Sequence, residues 1–214
     1  MKNKNLILKL VTTALLCGIA VLLQAFGGIF VMPVTGTALA LSFIPIAVGA
    51  ILYGPLYGGL IGFVWSIFII FSGQASYYMG MNAFGTYVTV ISKGTLAGVF
   101  AGLVYVLLRK KSNIVAMVLA AIVAPLVNSL VYRIGLLTFF QEYFFGKVDE
   151  SGMSAMGYFM SGFLGVSFIV ELGISAVFSP IVARICKIGR KMLNLDDDLD
   201  KVEQKEEALL DNQE

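Results

Sequence analysis

The sequence predicts an all-α integral membrane protein, a bundle of six transmembrane helices with its N and C termini on the cytoplasmic side. Composition is the first reason: of 214 residues, 58% are hydrophobic and 13% are charged, and the mean hydropathy is +0.89. Soluble domains carry about 25% charged residues, so this chain needs lipid as its solvent. The other two reasons are a series of long apolar runs and the grouping of the basic residues between them.

Six apolar runs are candidate spans, because a membrane helix needs about 20 apolar residues. In chain order they cover residues 6–30, 38–53, 56–71, 83–108, 114–138 and 158–185. The first exceeds a signal-peptide core and lacks a clear cleavage site after it, so we expect it to stay uncleaved. The second and third are short, so we expect short tilted helices or a locally thinned bilayer. An alternative joins these two into a re-entrant pair, which returns the chain to the same side.

Residues 43–63, FIPIAVGAILYGPLYGGLIGF, predict two helices joined by a tight turn at Gly54-Pro55. Glycine tolerates turn geometry, and it lets helix backbones approach closely where no hydrophobic effect drives association. The glycines of this stretch are Gly49, Gly54, Gly58, Gly59 and Gly62. They indicate a compact bundle.

Basic residues are grouped at the ends of the first, fourth and sixth spans, within residues 2–9, 109–111 and 184–191. Six spans place all three groups on one face, which the positive-inside rule identifies as cytoplasmic. An odd number of spans would divide them between the two faces. This pattern is the basis for the predicted orientation.

The last residues differ in character from the rest. From Leu195 the chain holds nine of its thirteen acidic residues, which leaves 13 basic and 4 acidic residues before that point. Acidic runs without aromatic residues are typically solvated. We therefore divide the chain into a six-helix transmembrane domain, residues 1–190, and an acidic cytoplasmic tail, residues 191–214.

Several kinds of chemistry lack their residues. The chain has no histidine, which argues against histidine metal sites and Ser-His triads. It has no P-loop for ATP, and its two cysteines, Cys17 and Cys186, do not form a zinc motif. We expect no metal site and no cofactor in this chain, and we do not expect an enzyme.

Three charged residues lie within the predicted spans: Lys93, Arg133 and Glu171. A charge at membrane depth is costly, so each is a candidate for function. Helical rise places Lys93 and Glu171 about 15 and 20 Å below the outer surface, where they can pair, and Arg133 only about 8 Å below it. The remaining positive charge would complement a monoanionic solute. In the alternative interpretation, Lys93 and Arg133 extend to the membrane surface and bind nothing.

Polar side chains and outer connections supply further candidates. Asn128 and Gln24 lie in spans and either contact a ligand or hold helices together. In the connection of residues 72–85, we assign Tyr77 and Asn82, together with Tyr78, to a pocket wall for a small polar molecule. In the connection of residues 139–157, we assign the aromatic residues to an interface belt. These are Tyr143, Phe144 and Phe145.

The first span carries small residues at Ala14 and Gly18, four positions apart and therefore on one helix face. Such a face packs closely against another helix, either within the bundle or on a partner protein in the membrane.

Four segments together resemble the substrate-binding S components of the energy-coupling factor (ECF) vitamin transporters. FIPIAVGAILYGPLYGGLIGF resembles the second and third spans of that family, and SKGTLAGVFAGLVY, residues 92–105, resembles the fourth. APLVNSLVYRIGLL around Asn128 resembles the fifth span, and VELGISAVFSPIVARI around Glu171 resembles the sixth. The acidic tail lies outside the resemblance.

The resemblance implies a multi-pass subunit of the bacterial plasma membrane that binds a vitamin or related micronutrient from outside. It implies an ECF coupling transmembrane subunit and two ATP-binding subunits as partners, which use the ATP. The family contacts its coupling subunit through an Ala-x-x-x-Ala face on the first helix, and here Gly18 replaces the second alanine. The segments around Asn128 and Glu171 look most like the pantothenate-type branch. Folate, cobalamin, a pyrimidine precursor and queuosine-related compounds are the alternative substrates.

Three other classes of function fit the sequence less well. A solitary secondary carrier would need no ATPase, but the chain lacks an acidic relay and an internal repeat. A membrane-embedded enzyme would need a second carboxylate, a histidine or a metal cluster beside Glu171 and Lys93. A structural or assembly protein would leave the deep charges without a role.

Overall fold

The structure is a computed structural model that describes residues 2–27, 41–164 and 179–188 and the single positions 173, 177 and 191. Within this part of the chain the secondary structure is helical, without a β-strand. The helices are α1 (Lys2–Gly27), α2 (Phe43–Tyr53), α3 (Pro55–Phe71), α4 (Ser76–Met81), α5 (Ala83–Leu108), α6 (Asn113–Phe139), α7 (Gln141–Ser151) and α8 (Ala155–Leu164). Residues 179–188 are also helical. The predicted all-α class is confirmed.

Three of the described helices are long and apolar enough to cross a membrane: Leu6–Phe26, Ala83–Leu108 and Asn113–Phe139. The apolar helices α2 and α3 are shorter, as their runs in the sequence predict. The span predicted at residues 158–185 lies partly outside the described residues, as does almost all of the acidic tail. The count of six spans, the orientation of the termini and the division at residue 190 therefore stay predictions.

The turn between α2 and α3 is as tight as the sequence predicts. α2 ends at Tyr53 and α3 begins at Pro55, so Gly54 alone separates the two helices. Gly54 has φ = 95°, a backbone conformation that favours glycine, and its N–H donates to the carbonyl of Ala50. Pro55 occupies the first helical position, where a missing N–H costs nothing.

The helices α3 and α5 meet along a seam of glycines, which we call the glycine seam: Gly58 and Gly62 on α3, and Gly94, Gly98 and Gly102 on α5. A methyl group at Gly58 would lie 2.6 Å from the carbonyl oxygen of Gly98, and one at Gly62 would overlap the backbone of Gly94. The two backbones are therefore in direct contact, which is the close approach that small residues allow in membranes.

The helices α5 and α6 pack against each other along their length and are tied at both ends. Near the basic turn of residues 109–111, the Tyr105 hydroxyl donates to Asn113 Oδ1 at 2.9 Å. At the opposite end, Asn82 Nδ2 donates to the carbonyl oxygen of Phe139 at 3.3 Å. The helix α5 is therefore held between α3 on one side and α6 on the other.

The connections of residues 72–85 and 139–157, which the sequence predicts on the outer side, contain the helices α4 and α7. The helix α7 ends at Ser151, and its C-cap residue Gly152 has φ = 66°. Phe144 is only 3% exposed and packs against the ring of Tyr158. The prediction that Phe144 belongs to an interface belt is wrong, because a belt residue must reach the membrane surface. Phe145, which is half-exposed, remains available for that role.

Candidate functional site

A cavity of about 90 Å³ lies between the first half of α5 and the last half of α6, beside the end of α3 and the start of α4. This is the end of the bundle opposite the basic turn of residues 109–111. Its polar lining consists of Gln74, Tyr78, Thr86, Thr89, Lys93 and Tyr132. Its apolar lining consists of Ile69, Ala75, Val90, Leu136 and Phe140. Apolar walls with a few convergent polar groups are typical of a binding site for a small molecule.

Lys93 provides a positive charge in the cavity wall. Its ammonium group lies 5.5 Å from the ring centre of Trp65 and 5.7 Å from that of Tyr132. Both distances are within the range in which an aromatic face attracts a cation. The rings thus hold the charge on the wall shared by α3, α5 and α6.

Two tyrosines join α4 to α6 across the cavity. The hydroxyls of Tyr78 and Tyr132 are 2.6 Å apart and share a hydrogen bond. Burial, followed by the contact with Tyr132, raises the pKa of Tyr78 above its ordinary value, so this hydroxyl is neutral at physiological pH. Burial and the neighbouring Tyr78 likewise raise the pKa of Tyr143 on α7 to about 12. The aromatic side chains around the cavity therefore contribute hydrogen bonds and no negative charge.

Thr89 has a hydroxyl that the protein leaves unused. Its Oγ1 is buried and makes no hydrogen bond with any of the residues that the structure describes, and the residue is 6% exposed. Thr86, one turn earlier, instead donates to the carbonyl oxygen of Asn82 at 2.8 Å. This oxygen lies against Gly135 of α6, where an added methyl group would come within 2.5 Å of it. An unpaired buried hydroxyl is costly, so a ligand group that reached it would recover that cost.

Gln24 of α1 connects three other segments through its side-chain amide. Its Oε1 accepts from Ser42 Oγ at 2.6 Å and from Trp65 Nε1 at 2.9 Å. Its Nε2 donates to Gln74 Oε1 at 2.8 Å. Of the two roles left open for Gln24, the structure shows contacts between helices, and these extend to a residue of the cavity wall.

The predicted site residues do not all lie in this cavity. Lys93 lines it, together with Tyr78. Tyr77 is 61% exposed and touches the rings of Tyr78 and Tyr143 edge-on. Asn82 is the N-cap of α5, where its Oδ1 accepts from the N–H of Gly85 at 2.8 Å.

The two predicted residues on α6 are partly buried but do not line the cavity. Consecutive residues are about 100° apart around a helix, so Arg133 lies to one side of the cavity-lining Tyr132. Asn128 Oδ1 is buried and has no hydrogen-bond partner in the described part of the chain. Glu171 lies outside the described residues. Ligand roles for all six predicted site residues stay predictions.

The predicted docking residues lie on α1. Ala14 and Gly18 are both exposed, and a methyl group at Gly18 would meet no atom within 4 Å. Among the described residues, no group of three His, Cys, Asp or Glu side chains is placed to hold a metal ion.

Thr86, Thr89, Gln74 and Tyr132 are cavity residues that we did not identify from the sequence. Thr86, Thr89 and Lys93 are spaced three and four positions apart, which puts them on one helix face. That spacing was a signal for the two threonines. For Gln74 and Tyr132 the sequence held no comparable signal.

An apolar helical bundle with a small, partly polar cavity at one end defines a membrane-embedded binding protein. Comparison with protein families identifies the kind of binding protein. Residues 8–183 match the family described as ECF transporter, substrate-specific component. Because the match covers most of the chain, the protein belongs to this family.

Comparisons with curated proteins and with solved structures gave no match. Membership confirms the resemblance found in the sequence. Members are transport subunits and not enzymes, and they work with ECF transmembrane and ATPase subunits. The identity of the solute does not follow from the family.

Proposed function

We propose that this subunit captures a vitamin or related micronutrient at the outer face of the bacterial plasma membrane, with pantothenate as the first candidate. The observation that supports this most is the ammonium group of Lys93 in the wall of the cavity. The cavity lies at the end of the bundle opposite the basic turn of residues 109–111, which the positive-inside rule assigns to the cytoplasm.

Pantothenate has the chemistry that the cavity complements. It is a monoanion with hydroxyl groups and a short branched apolar segment. Lys93 complements the carboxylate, and Thr89 and the tyrosine pair provide hydrogen bonds. Val90 and Leu136 supply apolar contacts. On this proposal the charge that selects the ligand belongs to Lys93, whereas we assign this role to Arg133 from the sequence.

The cavity of about 90 Å³ is smaller than pockets that enclose a drug-sized ligand, which measure about 300–1,000 Å³. It has room for the charged end of such a ligand. We infer that the remainder occupies space on the side of Tyr77 and Asn82, near α4. Glu171, Asn128 and Arg133 remain candidates for the second wall.

Energy for import would come from an ECF coupling transmembrane subunit and two ATP-binding subunits. The proposed contact with the coupling subunit is the exposed face of α1 at Ala14 and Gly18. A Leu side chain at Gly18 would project from this face and separate the two proteins.

The Gly18→Leu variant tests this contact. We expect it to lose co-purification of the coupling subunit by at least tenfold while the isolated chain binds its solute unchanged, because the space around Gly18 within the chain is open. The control is Gly18→Ala, which keeps the face small and should assemble normally. Normal assembly of Gly18→Leu would contradict the docking face.

The function itself is tested by uptake into proteoliposomes that contain the chain with or without a purified ECF coupling and ATPase module. We expect ATP-dependent accumulation of labelled pantothenate only when the module is present. ATP-dependent uptake of folate, cobalamin, a pyrimidine precursor or a queuosine-related compound would replace pantothenate and keep the class. Gradient-driven uptake by the chain alone would favour a solitary secondary carrier.

A further inference from the structure

We propose that Gln24, acting through Gln74, is a positioning residue that makes one wall of the cavity a hydrogen-bond donor and so selects a ligand group bearing a carboxylate. The inference rests on the proposed function, because it concerns the solute site of the same subunit. It extends that proposal by naming the residues that decide which chemical group is accepted.

The orientation of the Gln24 amide follows from its partner Trp65. An indole N–H can only donate, so the Gln24 atom 2.9 Å from Trp65 Nε1 must be the amide oxygen. The Ser42 hydroxyl donates to the same oxygen at 2.6 Å. Ser42 and Trp65 are both buried, so neither can exchange this partner for water. The Gln24 NH₂ group is therefore left to face Gln74.

The orientation of Gln24 in turn determines that of Gln74. Gln24 Nε2 donates at 2.8 Å, so the Gln74 atom that it meets is the acceptor, Oε1. Gln74 also lines the cavity, and its Nε2 makes no hydrogen bond with the described residues. The amide that Gln74 contributes to the site therefore offers an N–H donor, while its oxygen accepts from Gln24 at the exposed side of the site. We call Trp65, Gln24 and Gln74 the amide relay.

The donor from the relay adds to others in the same cavity. The Lys93 ammonium is a donor without acceptor capacity, and the buried Thr89 hydroxyl lacks a partner in the described part of the chain. None of the described lining residues is an Asp or a Glu. Donors on residues that line one cavity match a carboxylate, which has two acceptor oxygens and no proton to donate, and the resulting bonds are charge-assisted.

The experiment compares pantothenate with panthenol, in which a primary alcohol replaces the carboxylate, as ligands for the full chain in nanodiscs. A hydrogen bond to a charged group is stronger than one to a neutral group, so we expect the chain to prefer pantothenate roughly 10- to 100-fold. Gln74→Glu replaces the donor with an acceptor and should abolish the preference. Gln24→Glu still accepts from Trp65, but Gln74 must turn to donate to it, so the preference should fall at least tenfold.

Neutral variants separate the relay from a simple charge effect. Gln24→Leu removes the relay without adding charge and should lower the preference severalfold, and Gln74→Leu should do the same. A loss confined to the two Glu variants would overturn the proposal. Because Trp65 is the only tryptophan, its indole ¹H–¹⁵N resonance reports the relay directly. The chemical shift of this resonance should change in Gln24→Leu and stay close to the wild-type value in Gln24→Glu. An unchanged chemical shift in Gln24→Leu would overturn the relay.

The two proposals fail separately. If the wild-type chain binds panthenol as tightly as pantothenate, or binds none of pantothenate, nicotinate and biotin, the carboxylate assignment is overturned. ATP-driven uptake of an uncharged solute would then still support the proposed function. Conversely, selective carboxylate binding without uptake by any ECF module would contradict the proposed function and leave the relay supported.

Discussion

The two halves of α5 differ in what they present to their neighbours. From its middle onward α5 carries the glycines of the seam, at Gly94, Gly98 and Gly102, where α3 leaves no room for a methyl group. The first half carries Thr86, Thr89 and Lys93, which line a cavity. One helix therefore provides both the tightest helix contact described here and the wall of the candidate site.

The difference shows how this subunit separates stability from binding. In lipid no hydrophobic effect draws helices together, so the contact of α3 with α5 depends on backbone-to-backbone packing. Polar groups at membrane depth are costly, and at the cavity they are only partly satisfied, as the unused Thr89 hydroxyl shows. Substitutions in the glycine seam should therefore lower the stability of the fold, and substitutions in the cavity should lower the affinity for the solute.

The largest expected effect is that of Gly98→Ala in the glycine seam. Its methyl group would lie 2.8 Å from the backbone nitrogen of Gly59 and closer still to the carbonyl of Gly58. Because backbone cannot move aside like a side chain, we expect a loss of about 1–3 kcal/mol or more of stability. Thermal unfolding of the purified chain in detergent measures this.

The control for that variant is Gly18→Ala on α1, where the added methyl group meets no neighbour. It should unfold at or slightly above the wild-type temperature, because alanine favours helix over glycine. Equal stability of the Gly98→Ala and Gly18→Ala variants would contradict this difference, because the seam would then tolerate a side chain.

The next effect is that of Lys93→Met, which keeps the length of the side chain and removes its charge. A charge-assisted hydrogen bond contributes about 1.5–3 kcal/mol, so affinity for an anionic solute should fall roughly 10- to 100-fold. Isothermal titration with pantothenate provides the measurement, and Lys93→Arg is the matched variant that keeps the charge. An unchanged affinity in Lys93→Met would remove the main support for an anion site.

The smallest effect distinguishes two threonines one turn apart. Thr89→Val removes a hydroxyl that has no partner among the described residues, so stability should hold while affinity falls about two- to tenfold. Thr86→Val removes a donor to the carbonyl of Asn82 and should lower stability by about 1 kcal/mol. Thermal unfolding and titration of both variants test this pair. The reverse pattern would show that Thr89 is only a packing residue.

Much of the fold could be predicted because its signals are local. The turn at Gly54-Pro55 requires a backbone that glycine adopts readily, and the sequence shows both residues. The bounds predicted for the third and fourth spans agree with α3 and α5 within one residue. Lys93 was identifiable because a charge within an apolar run is conspicuous.

The rest of the site depends on contacts between distant segments. Gln24 meets Trp65 41 residues later and Gln74 50 residues later, and Tyr78 meets Tyr132 54 residues later. No local sequence pattern predicts contacts between residues so far apart in the chain. The rotation of α6 about its axis also decides that Tyr132, and not its neighbour Arg133, lines the cavity.

By itself the sequence determined the solvent, the helical class and the family of this protein, because apolar runs, glycine spacing and charge placement are properties of the chain read locally. The tertiary structure decided which polar groups share a cavity and which way the amides of Gln24 and Gln74 face. The physical reason is that a hydrogen bond needs its donor and acceptor within about 3 Å, and only the packing of helices from distant parts of the chain brings them that close.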